Sequence, residues 1–268
     1  MGDLLKTSGF FLIAGPCVIE SREITFLVAK LMKEITTELD IQYIFKASFD
    51  KANRTDISSF RGLGMEEGLS ILNDVRHEFG LQVITDVHTP EQVPTVAKYV
   101  DMLQIPAFLA RQTDLVLAAV RTGLPVNIKK PQFASPFDMQ NVVNKCKSVD
   151  GSQIMVCERG TVFGYNTLVV DMTALYEMSK FGCPVVFDAT HSVQKPGGKG
   201  STSDGNREYV RYLARAAVAV GVDGLFMEVH PEPARALSDG PSMIPLSEVK
   251  TLLVELLDIH KVIQRRKP

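Results

Sequence analysis

Tyr43-Ile44-Phe45-Lys46-Ala47-Ser48-Phe49-Asp50-Lys51-Ala52-Asn53-Arg54-Thr55 begins as an apolar run and turns abruptly polar. The run reads as a short buried strand. At its end Lys46, Lys51 and Arg54 crowd among Ser48, Asp50, Asn53 and Thr55. Cations packed at a strand end repel one another, so their closeness makes sense if they face an anion. Phosphate is the usual one, since arginine offers its oxygens a planar fork and lysine a point charge. Taken alone, the stretch also reads as a solvated basic loop.

The same grammar recurs on both sides. Short apolar runs lie at Phe10–Ala14, Tyr43–Ala47, Gln82–Asp86, Met102–Ile105, Val126–Lys129, Ile154–Cys157, Val185–Asp188 and Leu225–Glu228. Between them come helical stripes. Leu27, Leu31 and Ile35 follow a capping Ser21; Leu69, Leu72, Val75 and Phe79 end at Gly80; Leu115, Ala118, Ala119 and Thr122 end at Gly123. Leu213, Ala216, Ala217 and Val220 end at Gly221, and Leu252, Leu253, Leu256 and Ile259 close the chain. Strands apolar on both faces that alternate with amphipathic helices make a parallel sheet buried under helices. Eight such units predict a (β/α)8 TIM barrel, one catalytic domain over residues 1–268. A doubly wound open sheet is the rival, but no GxGxxG opens the first unit.

Composition narrows the function. The chain has 268 residues, 45% hydrophobic and 22% charged, enough for a large core. A net charge of −2 argues against nucleic acid and anionic membrane as partners, so any functional positive charge must be local. Cys17, Cys146, Cys157 and Cys183 form no CxxC pair, which favours a reducing compartment over a disulfide scaffold. No apolar run reaches spanning length and the N-terminus has no signal-peptide pattern, so a cytoplasmic location is expected.

A barrel carries its chemistry just after its strands, on one rim. Those positions hold Gly15-Pro16-Cys17, Lys46 to Arg54, Asp86-Val87-His88, Gln104 to Arg111, Lys129-Lys130, Glu158-Arg159-Gly160, Thr190-His191-Ser192 and Glu228-Val229-His230. Two constellations stand out. Lys46, Lys51, Arg54, Arg111, Lys129 and Arg159 would gather at one mouth, which suits anionic, doubly phosphorylated substrates; each alone could be a solvated rim charge. Cys17, His191, Glu228 and Asp239 are ordinary ligand types for a divalent transition metal, and strands 8 and 1 are neighbours in a closed barrel. Equally, Cys17 could be a small buried residue in a Gly-Pro turn and His191 a hydrogen-bonded rim histidine. Cys146, Cys157 and Cys183 read as packing residues, His77 and His260 as solvent-facing, and His88 and His230 as supports at the rim. Gln194 to Asn206, with Pro196-Gly197-Gly198-Lys199-Gly200, reads as a lid or a spacer.

Several stretches taken together resemble the 3-deoxy-D-manno-octulosonate 8-phosphate synthases. They are Lys46 to Arg54, Ile105-Pro106-Ala107-Phe108-Leu109-Ala110-Arg111-Gln112-Thr113-Asp114, Lys129-Lys130-Pro131-Gln132-Phe133, Phe187-Asp188-Ala189-Thr190-His191-Ser192 and His230-Pro231-Glu232-Pro233. The related aldoheptulosonate phosphate synthases carry Lys-Pro-Arg where this chain has Lys51-Ala52-Asn53-Arg54. The resemblance implies condensation of phosphoenolpyruvate, D-arabinose 5-phosphate and water in a homotetramer. Catalytic roles are implied for Lys129, Asp86, Asn53 and His191. Lys46, Gln104, Lys129 and Arg159 would hold phosphoenolpyruvate, with Arg111 reaching to or from a neighbouring subunit. Lys51, Asn53 and Arg54 would hold the pentose phosphate, joined by Ser203 of an adjacent chain. Members with Cys in the Gly-Pro-Cys position use a metal, which implies Zn2+, Fe2+ or Mn2+ at Cys17, His191, Glu228 and Asp239. Ser238-Asp239-Gly240-Pro241-Ser242 departs toward the metal-independent members.

Overall fold

A computed structural model describes residues 9–162, 164–197 and 204–264. Eight parallel strands form the barrel: β1 (Phe11–Gly15), β2 (Gln42–Lys46), β3 (Gln82–Asp86), β4 (Met102–Ile105), β5 (Val126–Lys129), β6 (Ile154–Glu158), β7 (Val185–Asp188) and β8 (Gly224–His230). They pair in chain order, and β8 returns to β1 with Phe11 opposite Gly224 and Gly15 opposite Glu228. Closure removes both sheet edges. Around it lie α1 (Arg22–Glu38), α2 (Met65–Phe79), α3 (Val93–Val96), α4 (Thr113–Val120), α5 (Asp138–Lys147), α6 (Thr173–Ser179), α7 (Glu208–Val220) and α8 (Leu246–Gln264). The expected TIM barrel is the fold observed. Among the described residues no helix is long and apolar enough to cross a membrane.

Two cores result from the period-2 alternation of strand side chains. Outward residues such as Leu12, Phe45, Val83, Leu103, Ile128 and Val156 pack under the helices. Inside the barrel, Phe11, Ile13, Ile44, Ile84, Met102, Met155, Cys157, Val186 and Phe226 fill the space. Two residues further along their strands, the inward positions turn polar. Ile44 is followed by Lys46, Ile84 by Asp86, Met102 by Gln104, Val186 by Asp188 and Phe226 by Glu228, all buried. The sequence thus builds an apolar floor and a charged storey above it.

Some boundaries differ from the expectation. β1 begins at Phe11 and β2 at Gln42, while β8 runs on to His230. The stripe expected on α1 is met in part: Leu31 and Ile35 pack half-buried against the core, but Leu27 is exposed, and Thr25, Val28, Ala29, Met32 and Thr36 are the buried positions. The threonines can be buried because each hydroxyl donates to a carbonyl one turn back, Thr25 to Ser21 at 2.7 Å and Thr36 to Met32 at 2.8 Å. On α7 Val220 is likewise exposed and Leu213 packs half-buried against the core, while Val210, Ala214, Ala217 and Val218 are the buried positions. Helices α3, α5 and α6 gave no stripe; they have 4, 10 and 7 residues, too few turns for a period to show clearly. Punctuation is better matched. The Ser21 hydroxyl accepts from the Ile24 N–H, and Gly80 and Gly221 end α2 and α7 in the left-handed conformation.

Where β1 meets β2, the chain leaves no room for a side chain at Gly15. A Cβ on Gly15 would lie 2.0 Å from the Lys46 carbonyl oxygen. Gly15→Ala is therefore expected to cost about 3 kcal/mol through forced separation of the strands. Ser21→Ala, which only removes a cap, should cost about 1 kcal/mol. Urea-unfolding midpoints of the two variants will check the order.

Candidate active site

The C-terminal ends of the strands open on a cavity of about 600 Å³. Lys46, Asp86, Gln104, Lys129 and Asp188 reach it as the inward residues at or near the ends of their strands. Lys51, Asn53 and Arg54 come from the segment after β2, Arg159 from the residue after β6, His191 from the turn after β7, and Ser238 and Asp239 from the loop after β8. Five cations thus converge on one hollow from three parts of the chain. The expected sixth, Arg111, does not: it sits between the short turn Ala107–Leu109 and α4, exposed and outside the cavity lining.

Buried cations survive here through carboxylates. Lys129 Nζ donates to Asp188 Oδ2 and lies 3.2 Å above the centre of the Phe226 ring. Lys46 Nζ donates to Ser48 Oγ at 2.8 Å and stands 3.5 Å from Asp86 Oδ2. Asp86 also accepts from the Ser48 hydroxyl and, at 2.5 Å, from Gln104 Nε2, whose Oε1 accepts from Asn127 Nδ2 at 2.8 Å. Burial alone would raise the Asp86 carboxyl, but Lys46, Lys51 and His88 outweigh it and hold the group well below 3.8. Asp188 behaves alike: burial opposes, and His191 and Lys129 prevail. Burial lowers the Lys46 ammonium in spite of Asp86.

The donor capacity of the cavity is not used up by the protein. Arg54 gives Nε to the Phe60 carbonyl at 3.0 Å, while its buried Nη2 meets no acceptor. Arg159 gives Nη2 to Gln194 Oε1 at 3.2 Å, and its Nη1 is unmatched. Buried guanidinium N–H groups without partners are costly in an ordinary core and fit a site that receives an anion.

A second cluster lies at the β8–β1 seam. The ligand atoms of Cys17, Glu228 and Asp239 are all within 4.8 Å of one another. The Cys17 thiol donates to Asp239 Oδ2 at 3.0 Å and lies 3.0 Å from Ser238 Oγ. Burial, then the charges of Asp239 and Glu228, push that thiol well above 9.0. Asp239 is held at about 2, with burial opposing and Lys51 and His191 lowering it. Neither Glu228 carboxylate oxygen has a hydrogen-bond partner, although Lys51 Nζ is 3.7 Å from Oε1. The imidazole of His191 stands beside this group rather than within the same radius. Its Nε2 is 3.6 Å from Glu228 Oε1 and its Nδ1 2.7 Å from Asp188 Oδ2. Sulfur, carboxylate oxygen and imidazole nitrogen together make a donor set suited to a divalent transition ion.

Residues 6–265 match the sequence model of the DAHP synthetase I family. The chain belongs to that family. Similar members of known name include the 2-dehydro-3-deoxyphosphooctonate aldolase of Methylobacillus flagellatus, 59% identical over 257 residues, 95% of this chain and 92% of the relative. The protein of the same name from Bordetella petrii is 60% identical over 262 residues (96% and 92%), and that of Syntrophobacter fumaroxidans 54% over 264 (98% and 92%).

Most residues singled out in the sequence line this family member's cavity; Cys17 and Glu228 are buried outside its lining, Cys17 against Asp239, and Arg111 is exposed outside it. Ser203 and part of the Gln194–Asn206 segment lie outside the described residues. His88 lines the cavity, with its ring edge-on to Phe49, whereas His230 is buried and accepts from the Glu232 N–H at 3.0 Å. Cys146 and Cys157 are fully buried and Cys183 partly so; His77 is exposed, but His260 is half-buried against Phe10. Sequence reasoning missed Asp188, the residue that joins Lys129 to His191. Its signal was there, since it follows Val186 by two residues as Asp86 follows Ile84.

Asp86 gives a pH test. Its carboxyl is lower in the folded chain than in the unfolded, so its stabilisation is complete above the unfolded value near 3.8 and is lost as pH falls below it. The stability gap between the wild type and Asp86→Asn should be largest at neutral pH and shrink progressively below 3.8. Urea midpoints measured from pH 7 down to pH 3 will show this trend.

Proposed function

We propose that this protein is an enzyme that joins phosphoenolpyruvate to D-arabinose 5-phosphate. With water, it gives 3-deoxy-D-manno-octulosonate 8-phosphate and inorganic phosphate, a step in lipopolysaccharide biosynthesis. The observation that carries the reading is the cavity whose walls supply five cations and unmatched guanidinium N–H groups, in a chain close to relatives named for this product. In the reaction a bond forms between the vinyl carbon and the aldehyde carbon. Water supplies oxygen to the neighbouring carbon, and phosphate leaves.

The residues divide by depth. Lys46, Gln104, Lys129 and Arg159 would hold phosphoenolpyruvate at the base, and Lys51, Asn53 and Arg54 the sugar phosphate nearer the mouth. The vinyl carbon is a weak nucleophile, so holding the aldehyde against it contributes several kcal/mol. Lys129 and Arg159 stabilise charge that develops on phosphate and carboxylate. Asp86, fixed by Ser48 and Gln104, stays ionised beside the reacting carbons. Cys17, Glu228 and Asp239, with His191 beside them, would hold Zn2+, Fe2+ or Mn2+. Such an ion orients an aldehyde or makes a bound water more acidic. Three anionic ligands would temper its Lewis acidity, which favours orientation. The assembly is read as a cytoplasmic homotetramer, in which the exposed Arg111 would serve a neighbour's site.

Phosphate release is expected with arabinose 5-phosphate and much less with erythrose 4-phosphate; the reverse preference would assign the chain to heptulosonate synthesis. Binding of both ligands without release would make it a sensor. Lys129→Ala should lower turnover by about a hundredfold or more. Because it takes from buried Asp188 one of its two cationic partners, the folded fraction must be measured by circular dichroism alongside. Chelation should abolish activity, and the calorimetric heat of adding Zn2+ to the stripped protein should vanish in Cys17→Ala. Full activity in a sample shown free of metal by elemental analysis would remove the ion from the scheme.

A further inference from the structure

Lys129 and Arg159 line the cavity, yet their sequence neighbours Lys130 and Glu158 are buried outside its lining. Lys130 Nζ donates to the carbonyls of Pro131 at 3.2 Å and Ala134 at 3.1 Å and to Thr161 Oγ1 at 3.0 Å, and lies 3.6 Å from Glu158 Oε1. That oxygen accepts in turn from the N–H groups of Arg159, at 2.9 Å, and Gly160, at 2.6 Å. Gly160 has φ 90°, a conformation that L side chains rarely adopt, so the carboxylate caps a turn that needs glycine. The backbone ties the same two turns together: Lys130 N–H donates to the Cys157 carbonyl at 2.7 Å and Val162 N–H to that of Gln132 at 2.9 Å.

A buried ion pair is a weak device for stability, since apolar residues of similar volume often do as well. Its placement gives it another use. The ammonium holds the turn after Lys129, and the carboxylate holds the turn that carries Arg159. We infer that Lys130 and Glu158 are positioning residues that fix the spacing between the Lys129 and Arg159 side chains, and so the fit of the phosphate and carboxylate of phosphoenolpyruvate. The inference rests on the reading that those two cations bind that substrate.

Steady-state kinetics on the full-length enzyme, with calorimetric titration of phosphoenolpyruvate, will test it. Glu158→Ala and Lys130→Met should raise the KM for phosphoenolpyruvate about tenfold and leave that for arabinose 5-phosphate within about twofold. Glu158→Gln keeps an acceptor for the two N–H groups and should raise it by only about threefold. The titration should weaken in step. Loss of turnover in proportion to folded protein, with both KM values unchanged, would overturn the inference, as would an equal rise in both. Should the Ala and Met variants fail to fold, Glu158→Gln decides by the same two readouts. If the wild type binds phosphoenolpyruvate but releases no phosphate, the proposed reaction fails, while the titrations of the variants still decide the positioning role.

Discussion

An ammonium group sealed inside a closed barrel survives only with a carboxylate at hand, because removing it from water is otherwise too costly. That constraint orders the upper storey of the barrel. Lys46 stands by Asp86, Lys129 by Asp188, and on the far side of the wall Lys130 by Glu158. Each pair joins different strands or the turns next to them, so neutralisation also fixes where the strand ends sit. Below them the apolar floor keeps water out and lets the Phe226 ring face carry part of the Lys129 charge.

The pairing is incomplete. Arg54 and Arg159 keep buried N–H groups without acceptors, and Glu228 keeps both oxygens without donors. A core built for stability alone would not leave these valences open. The open guanidinium groups of Arg54 and Arg159 belong to the cation-lined wall, and the open carboxylate of Glu228 lies at the seam beside Cys17. The cavity therefore offers open donors where an anion would sit, and the seam holds a carboxylate without a hydrogen-bond partner.

The barrel was legible because its strands are apolar on both faces and end abruptly in polar residues. Lys46, Asp86, Lys129 and Asp188 mark such ends, with Gln104 and Glu228 one and two residues short of theirs, and the rule that chemistry sits at or just past the strand ends placed nearly the whole site. What escaped had physical reasons. The buried face of α1 includes threonines whose hydroxyls bond within the helix, so hydrophobicity alone marked only the flank of that face, through Leu31 and Ile35. Helices α3 and α6 are too short to show a period. Arg111 has the right residue type in the right loop, but the turn before α4 carries it outward, which no spacing in the sequence encodes. The roles of Cys17, Glu228 and Asp239 depend on the convergence of loops far apart in the chain, and composition is silent on that.

That convergence has a consequence for how the enzyme comes into being. Cys17 and Asp239 are 222 positions apart, and they meet only where β1 zips to β8. Contacts between such distant segments form late, after most of the loop-closure entropy has been met. A chain still emerging from the ribosome has no thiol–carboxylate nest until the loop after its final barrel strand arrives. Completion of the cylinder and birth of the catalytic pocket are one event, so a truncated product would be inert rather than partly active.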